Sequence, residues 1–242
     1  MQNLFEEIKK HFILNFINDD RWKFLVKGLW VTLRITLFAL LIGIAIGVIV
    51  AIVRSTYEKN ADQMRRGASR ATLGFFNGVC NVYLTVFRGT PVVLQLLIFY
   101  YVILTSIKSG EVIGIIAFGI NAGAYIAEIF RGGIMSIDNG QFEAGRSLGF
   151  NYVQSMRYII IPQAFKNILP ALANEFIVLL KETAVVGYVA VQDMTKAGNI
   201  ISGRTYSYFM PLIAVALVYL ALVMFFTWLV GKLERRLRAT ER

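Results

Sequence analysis

Residues 139–162 read NGQFEAGRSLGFNYVQSMRYIIIP, a polar island between strongly apolar segments. Asp138, directly before it, is a good helix N-cap, and Gln141 follows three residues later, as in a capping box. Gly149 is typical of a helix C-terminus. The pattern predicts a helix of about three turns, followed by an extended link to the proline. Because so short a helix is marginal in water, we expect it to dock against a partner.

The composition of the chain is that of a polytopic membrane protein. Of the 242 residues, 57% are hydrophobic, and the mean hydropathy is +0.60, which is too apolar for a soluble domain of this length. The net charge of +10 would suggest nucleic-acid binding in a soluble chain. Here most basic residues lie between apolar segments, which indicates membrane topology instead. Cys80 and His11 are the only residues of their types, so we expect no intrachain disulfide and no metal site.

Several segments reach the roughly 18 to 20 apolar residues that a membrane-spanning helix needs. We therefore predict an all-α polytopic membrane protein with five transmembrane helices and short interfacial helices. Residues 1–20 are predicted to form an amphipathic interfacial helix, residues 21–242 the transmembrane domain, and residues 71–87 a second membrane-surface helix. The five predicted spans are 25–53, 90–107, 112–130, 168–190 and 209–230.

The distribution of lysine and arginine predicts the orientation. Loop 54–70, which contains Arg65 and Arg66, the polar island and the C-terminal tail hold more basic residues than the turn at Lys108 or segment 192–207. By the positive-inside rule, the tail, loop 54–87 and the polar island face the cytoplasm, and the N-terminus faces outward. In the first span, Gly43 and Gly47 form a GxxxG pattern, which we interpret as helix packing.

Polar and ionisable groups inside a membrane are costly, so each is a candidate for the substrate path. Glu128 is one, although an i, i+3 ion pair with Arg131 would also explain it. Glu175 and Glu182 share a helix face and could bind an ammonium group, unless they serve neutralisation or subunit pairing. The complete set of substrate-path candidates is Gln95, Tyr100, Asn121, Tyr125, Glu128, Glu175, Lys181, Glu182 and Thr183.

The sequence holds no arrangement typical of an enzyme. No GxxxxGK[ST] nucleotide loop occurs, and no histidine or cysteine constellation is possible. We therefore predict no catalytic residue and no nucleotide bound through such a loop. A stand-alone secondary transporter is the alternative class, but no inverted repeat is visible, and five spans would be few for one.

The polar island resembles the EAA loop of membrane subunits of ATP-binding cassette (ABC) importers. The resemblance rests on Glu143-Ala144-Gly145, then Gly149, Ile159 and Ile161-Pro162 at the spacing of that loop. Gly145 replaces the second alanine of the family pattern, and Ile161 replaces a leucine. The wider chain, from about residue 25, resembles the polar amino-acid permease branch of this family. The motifs that carry this resemblance are FRGTP at 87–91 with Gln95, AYIAEIFRGGI at 124–134, PQA at 162–164, NE at 174–175 and KET at 181–183.

The resemblance implies a type I ABC importer permease in a bacterial inner membrane. Helix 138–149 would be its coupling helix, seated in a cleft of a cytoplasmic ATPase dimer. The residues implied in this coupling are Asp138, Gln141, Glu143, Ala144, Gly145, Leu148, Gly149 and Pro162.

The resemblance also implies the partners. The chain itself would bind no cofactor, since ATP and Mg²⁺ would be held by the ATPase subunit. An extracytoplasmic binding protein would deliver an amino acid, and a second copy or a related permease would complete the pore. The acidic residues near the fourth span favour a cationic amino acid, while glutamine, glutamate and cystine stay open.

Overall fold

The computed structural model describes residues 2–60 and 67–239, and every regular element in these ranges is a helix. This confirms the predicted all-α class. The α-helices are α1 Gln2–Phe12, α2 Trp22–Asn60, α3 Ala68–Gly89, α4 Val92–Ile98, α5 Gly110–Met135, α6 Asn139–Ser147, α7 Tyr152–Ser155, α8 Ile161–Glu182, α9 Met194–Thr205 and α10 Phe209–Ala239. Shorter π-helical or 3₁₀ turns adjoin several of them, at Ile13–Ile17, Asn18–Asp20, Phe99–Ile103, Met156–Ile160 and Thr183–Val189. Arg65 and Arg66, which the topology prediction used, lie outside the described residues.

Helices α2 and α5 pack closely against each other at the centre of the molecule. A Cβ atom on Gly47 would lie 2.6 Å from Cγ2 of Ile126 and 2.9 Å from the backbone nitrogen of Ala127. Ile126 is completely buried. The GxxxG pattern therefore lets the two backbones approach within one chain, as the packing interpretation predicted.

Three single helices, α2, α5 and α10, are long and apolar enough to cross a membrane. Helix α3 and the segment Val92–Ile103 qualify as a fourth crossing only together, with a bend of 109° between them. Within the predicted span 90–107, the helix covers only Val92–Ile103. This helical segment has 12 residues, which is about 18 Å at the α-helical rise, whereas the hydrocarbon core of a membrane is roughly 30 Å thick.

Helix α8 lies where the fourth span was predicted, but with different bounds. It begins at Ile161, before the predicted start at residue 168, and its α-helical part ends at Glu182. The remainder of the predicted span forms the 3₁₀ turn Thr183–Val189. The number of five spans stays a prediction.

The N-terminal segment is attached to the connection between α9 and α10. Asn15 is completely buried, and its amide donates to Ser207 Oγ at 3.4 Å and accepts from Thr205 Oγ1 at 2.7 Å. Asp19 and Asp20 both adopt left-handed backbone angles, with φ of 54°. These two residues turn the chain from the N-terminal helix into α2.

Candidate functional site

Helix α6 is the predicted helix of the polar island, and both of its ends are capped by local contacts. Asp138 is the N-cap, and its Oδ1 accepts from the backbone N–H of Gly140 at 2.6 Å. The predicted capping box with Gln141 is wrong, because Oε1 of Gln141 instead accepts from Nε2 of Gln163 at 3.2 Å. At the other end, Gly149 has a φ of +81°, which favours glycine.

The C-terminus of α6 forms a Schellman motif. The N–H of Phe150 donates to the carbonyl of Gly145, and the N–H of Gly149 donates to that of Arg146, both at 2.9 Å. These two bonds satisfy carbonyl groups that the end of the helix would leave unpaired. The prediction of a helix ended by a glycine is therefore confirmed.

The link from α6 to the proline is helical, so the predicted extended link is wrong. Asn151 and Gln154 cap the start of α7 reciprocally, each side-chain oxygen accepting a backbone N–H of the other residue at 2.9 Å. The helix then continues through the π-helical turn Met156–Ile160 into α8, where Pro162 is the second residue. Proline has no N–H to donate, and here this gap directly follows the π-helical turn, where the i→i−4 pattern of hydrogen bonds is already interrupted.

Phe142 packs α6 against the rest of the protein. Its side chain is buried, and its ring stacks on that of Tyr152 with 6.3 Å between centroids. Nζ of Lys59, near the end of α2, lies 3.7 Å from the centroid of the same ring. Sequence reasoning missed this contact, although Phe142 is the one aromatic residue of an otherwise polar and small-residue helix.

The two faces of α6 differ in burial. On the inner face, a Cβ atom on Gly145 would lie only 2.6 Å from Oγ of Ser155. On the outer face, Glu143, Ala144 and Leu148 are exposed, and Leu148 has 72% of its surface accessible. Helix α6 thus presents a carboxylate and an apolar side chain on a surface that no described residue covers.

Glu128 is the centre of an ion-pair cluster from three helices. Its carboxylate pairs with Arg54 of α2, lies 2.9 Å from Nη2 of Arg131 on α5 and 4.0 Å from Nη1 of Arg88 on α3. Glu58 joins the cluster through Arg54 at 3.2 Å and Arg131 at 3.5 Å. The predicted pair with Arg131 is present, while the parts played by Arg54 and Glu58 were not anticipated from sequence.

Gln95 and Asn121, both predicted to line the substrate path, are buried in a hydrogen-bonded pair. Nδ2 of Asn121 donates to Oε1 of Gln95 at 2.9 Å. Nε2 of Gln95 donates to the carbonyl of Phe87 at 2.9 Å and to that of Thr90 at 3.0 Å. In this chain the two amides connect the bend between α3 and α4 to α5.

The two tyrosine candidates lie apart from each other. The ring centroid of Tyr125 lies 5.7 Å from the guanidinium carbon of Arg88. Tyr100 packs edge-on against Tyr101, with 4.8 Å between ring centroids. Both candidates are half-buried, and only Tyr125 is adjacent to the Glu128 cluster.

The end of α8 holds the acidic candidates. Glu175 and Glu182 are half-buried, and neither carboxylate has an ion pair or hydrogen bond with another described residue. Lys181 is exposed. Thr183 is completely buried, and its hydroxyl lies 3.3 Å from that of Thr36 on α2. The structure therefore leaves the two carboxylates available, whereas the Thr183 hydroxyl is engaged within the chain.

A comparison with protein families identifies the chain. The model of the family described as "binding-protein-dependent transport system inner membrane component" matches residues 43–239. The chain belongs to this family. The permease is 37% identical over 217 residues to a putative glutamine transport system permease of Rickettsia typhi, covering 88% of this chain and 93% of the relative. It is 35% identical over 222 residues to an arginine transport system permease of Bacillus subtilis, covering 90% and 94%.

Solved structures resemble the permease in fold. An amino acid ABC transporter crystallised with histidines contains a chain 39% identical to the permease, with a TM-score of 0.78 and coverage of 88% of this chain and 94% of that one. An inward-facing methionine ABC transporter shares the fold at 22% identity, with a TM-score of 0.72 and coverage of 91% and 99%.

Family membership makes the permease a non-catalytic transport subunit of an ABC importer, in which a separate subunit hydrolyses ATP. The stand-alone secondary transporter is therefore the wrong alternative. Family membership also places the permease in an inner membrane, as predicted. Within residues 2–60 and 67–239, no group of three or more His, Cys, Asp or Glu residues could hold a metal ion.

We expect Gly145→Ala to destabilise α6 although alanine has the better helix propensity. The added methyl would meet Oγ of Ser155 at 2.6 Å and Cδ1 of Ile159 at 3.1 Å, and overpacking of this kind costs about 1–3 kcal/mol. Hydrogen exchange of the α6 amides should accelerate. Ser155→Ala in the same chain should slow exchange again, since it removes the nearest atom. Unchanged exchange in the single variant would contradict the prediction.

Proposed function

We propose that the permease carries polar amino acids into the cytoplasm, with a preference for a cationic one. The observation that carries this proposal is the pair Glu175 and Glu182, half-buried on α8, with no basic group of a described residue within 4 Å of either carboxylate. A carboxylate inside a membrane protein is costly unless a ligand or partner compensates it. The relatives named for arginine and glutamine transport support an amino-acid substrate.

In this proposal, α6 transmits the movement of the ATPase subunits to the permease. A cytoplasmic ATPase dimer would bind ATP and Mg²⁺, close, and move α6, which turns the permease from inward-facing to outward-facing. Glu143, Ala144 and Leu148 would contact the ATPase because they form the exposed face. The other residues implied in coupling would act indirectly, because they fix the ends and the position of α6. They are Asp138, Gln141, Gly145, Gly149 and Pro162.

The proposed arrangement in the membrane has five spans, with the N-terminus outside and the C-terminus in the cytoplasm. The positive-inside pattern supports this orientation. An extracytoplasmic amino-acid-binding protein would dock on the outer side, and a second copy or related permease would complete the pore.

Reconstitution tests the proposal. The permease should be placed in proteoliposomes with its ATPase subunit and binding protein, and uptake of labelled arginine, lysine, histidine and glutamine should be measured. Uptake should require both ATP and the ATPase subunit. Uptake of sugars or inorganic ions instead of any amino acid would overturn the proposed substrate class.

We expect Glu175→Gln with Glu182→Gln to reduce arginine uptake by roughly tenfold or more, since a hydrogen bond to a charged group contributes about 1.5–3 kcal/mol. Glutamine uptake should change far less, because its side chain carries no charge for the carboxylates to bind. Glu7→Gln is a matched control, since Glu7 is exposed on α1. Equal loss of arginine and glutamine uptake would mean that the two acids are structural.

A further inference from the structure

A polar cavity of about 480 Å³ lies between α2, α3 and α5. Its charged and hydrogen-bonding side chains are Arg54 of α2, Asn81, Thr85 and Arg88 of α3, and Glu128 of α5. At spacings of four and three residues, the three α3 side chains share one face of that helix. No side chain of α8 lines the cavity, so it is separate from the carboxylates on α8.

The polar side chains of α3 at this cavity are not engaged within the chain. Asn81 and Thr85 are exposed, and neither side chain forms a hydrogen bond with a residue that the structure describes. One turn before Asn81, the buried Oδ1 of Asn77 also lacks a hydrogen-bond partner there. Polar groups inside a membrane protein are costly when nothing compensates them, so this row of side chains requires a polar neighbour.

The charges around the cavity do not balance. The basic members of the Glu128 cluster are Arg54, Arg88 and Arg131, and its acidic members are Glu58 and Glu128. Arg54 and Arg131 each contact both carboxylates, whereas Arg88 reaches Glu128 alone among the described residues, at 4.0 Å. The surplus positive charge therefore falls on Arg88, whose side chain is 44% exposed. A ligand group with one negative charge would compensate it.

Glu128 limits which anion can bind. Its carboxylate lies 4.0 Å from Arg88 and would repel a dianion such as phosphate. It can also accept an ammonium group, because its Oε1 accepts one hydrogen bond from the described residues, that of Arg54, and a carboxylate oxygen has two lone pairs. Arg88 and Glu128 together complement a carboxylate beside an ammonium group, which is the head group of a free α-amino acid.

We propose that this cavity binds the zwitterionic head group of the transported amino acid. The α-carboxylate binds Arg88 and the donors of Asn81 and Thr85, and the α-ammonium group binds Oε1 of Glu128. The proposal rests on the proposed function, because it takes the ligand to be the amino acid that the permease carries. The α8 carboxylates would recognise a cationic side chain, while this cavity recognises the part that all amino acids share.

Arginine and argininamide test the site because only arginine has the carboxylate. Equilibrium binding of each should be measured on the permease–ATPase complex in nanodiscs, without the binding protein, whose own selectivity would hide the comparison. At about pH 6 both α-amino groups stay protonated. We expect arginine to bind roughly tenfold more tightly, since this is the effect of a hydrogen bond between charged groups. Equal affinities would overturn the proposal.

Arg88→Gln should bring the ratio of the two affinities close to one. Asn81→Ala with Thr85→Val should lower the ratio roughly fivefold, and the fold should tolerate this pair because neither side chain has a hydrogen bond to a described residue. Arg157→Gln is the matched control. The Arg157 guanidinium carbon also lies 5.7 Å from a tyrosine ring but does not line the cavity.

Three results with these variants and with small anions would refute the site. An equal loss of arginine and argininamide binding in Arg88→Gln would show that Arg88 is structural. An unchanged ratio in that variant would show that another group binds the carboxylate. Displacement of arginine by an equal concentration of acetate or inorganic phosphate would show that the cavity binds any small anion.

Glutamine and its α-amide separate this proposal from the preference for a cationic amino acid. If glutamine is favoured over its amide and Arg88→Gln removes that preference, the head-group site stands even when arginine does not bind. If arginine and glutamine each bind as tightly as their amides, the head-group site is refuted, while the cationic preference is still decided by the α8 carboxylates.

Discussion

We expect the Glu128→Gln permease to be less stable than the wild type by about 2 kcal/mol. The reason is that Arg54, Arg88 and Arg131 share this one carboxylate as a counter-charge. Removing one partner of a buried ion pair costs about 3–5 kcal/mol, and we discount this value because the Glu128 side chain is 21% exposed. Among the described residues, Glu58 would then remain as the acidic partner of Arg54 and Arg131.

The control for this experiment lies at the opposite end of the same helix. Glu111 pairs with Arg34 at 2.6 Å, and the two side chains are 25% and 42% exposed. A single pair with this much solvent contact contributes at most about 1 kcal/mol, so Glu111→Gln should lower stability much less. Thermal unfolding of the detergent-purified transporter would compare the two variants. Equal losses would mean that Glu128 acts as an ordinary surface charge.

We expect Glu143→Arg together with Gly149→Val to abolish ATP-driven transport while the permease still inserts into the membrane. Glu143 lies on the exposed face of α6. If it is a hot spot of the ATPase interface, its loss costs about 2 kcal/mol or more, which is roughly a thirtyfold loss of affinity. Gly149 has a φ of +81°, a conformation that a β-branched residue resists. Gly149→Val should therefore disrupt the Schellman motif at the C-terminus of α6 and displace this helix.

Co-purification of the ATPase subunit and transport-coupled ATP hydrolysis would measure this loss. Glu7→Arg makes the same charge change on the exposed surface of α1, remote in sequence from α6, and should leave both activities intact. Each single variant is needed as well, because Gly149→Val alone should retain the charge of Glu143 but lose the fixed helix end. Wild-type coupling in the double variant would refute the role of α6.

The parts of the polar island that sequence analysis predicted correctly depend on contacts a few residues apart. The Asp138 cap and the helix end at Gly149 are such features, because turn chemistry is local. The extended link was wrong although a local signal for a helix was present, since Asn151 and Gln154 have the spacing of a capping box. A residue before proline favours extended backbone, yet in this chain the cap at Asn151 starts a helix that continues past Pro162.

Distant contacts could not be predicted from one sequence. The pair of Glu128 with Arg131 follows from helical spacing, but Arg54 comes from α2, 74 residues earlier. Likewise, the side chains of Gln95 and Asn121 resemble cavity-lining amides until the fold shows that each satisfies the other. Tertiary packing decides whether a polar residue in a membrane helix faces a solute or a neighbouring backbone.

The paired amides of Gln95 and Asn121 also constrain how this chain can diverge in evolution. Both residues are more than 90% buried, and removing either leaves a buried polar group unpaired at about 1–3 kcal/mol. Replacing both by apolar residues of similar shape avoids most of that cost. Descendants of this sequence should therefore keep the two amides together or exchange both, and lineages with only one should be rare.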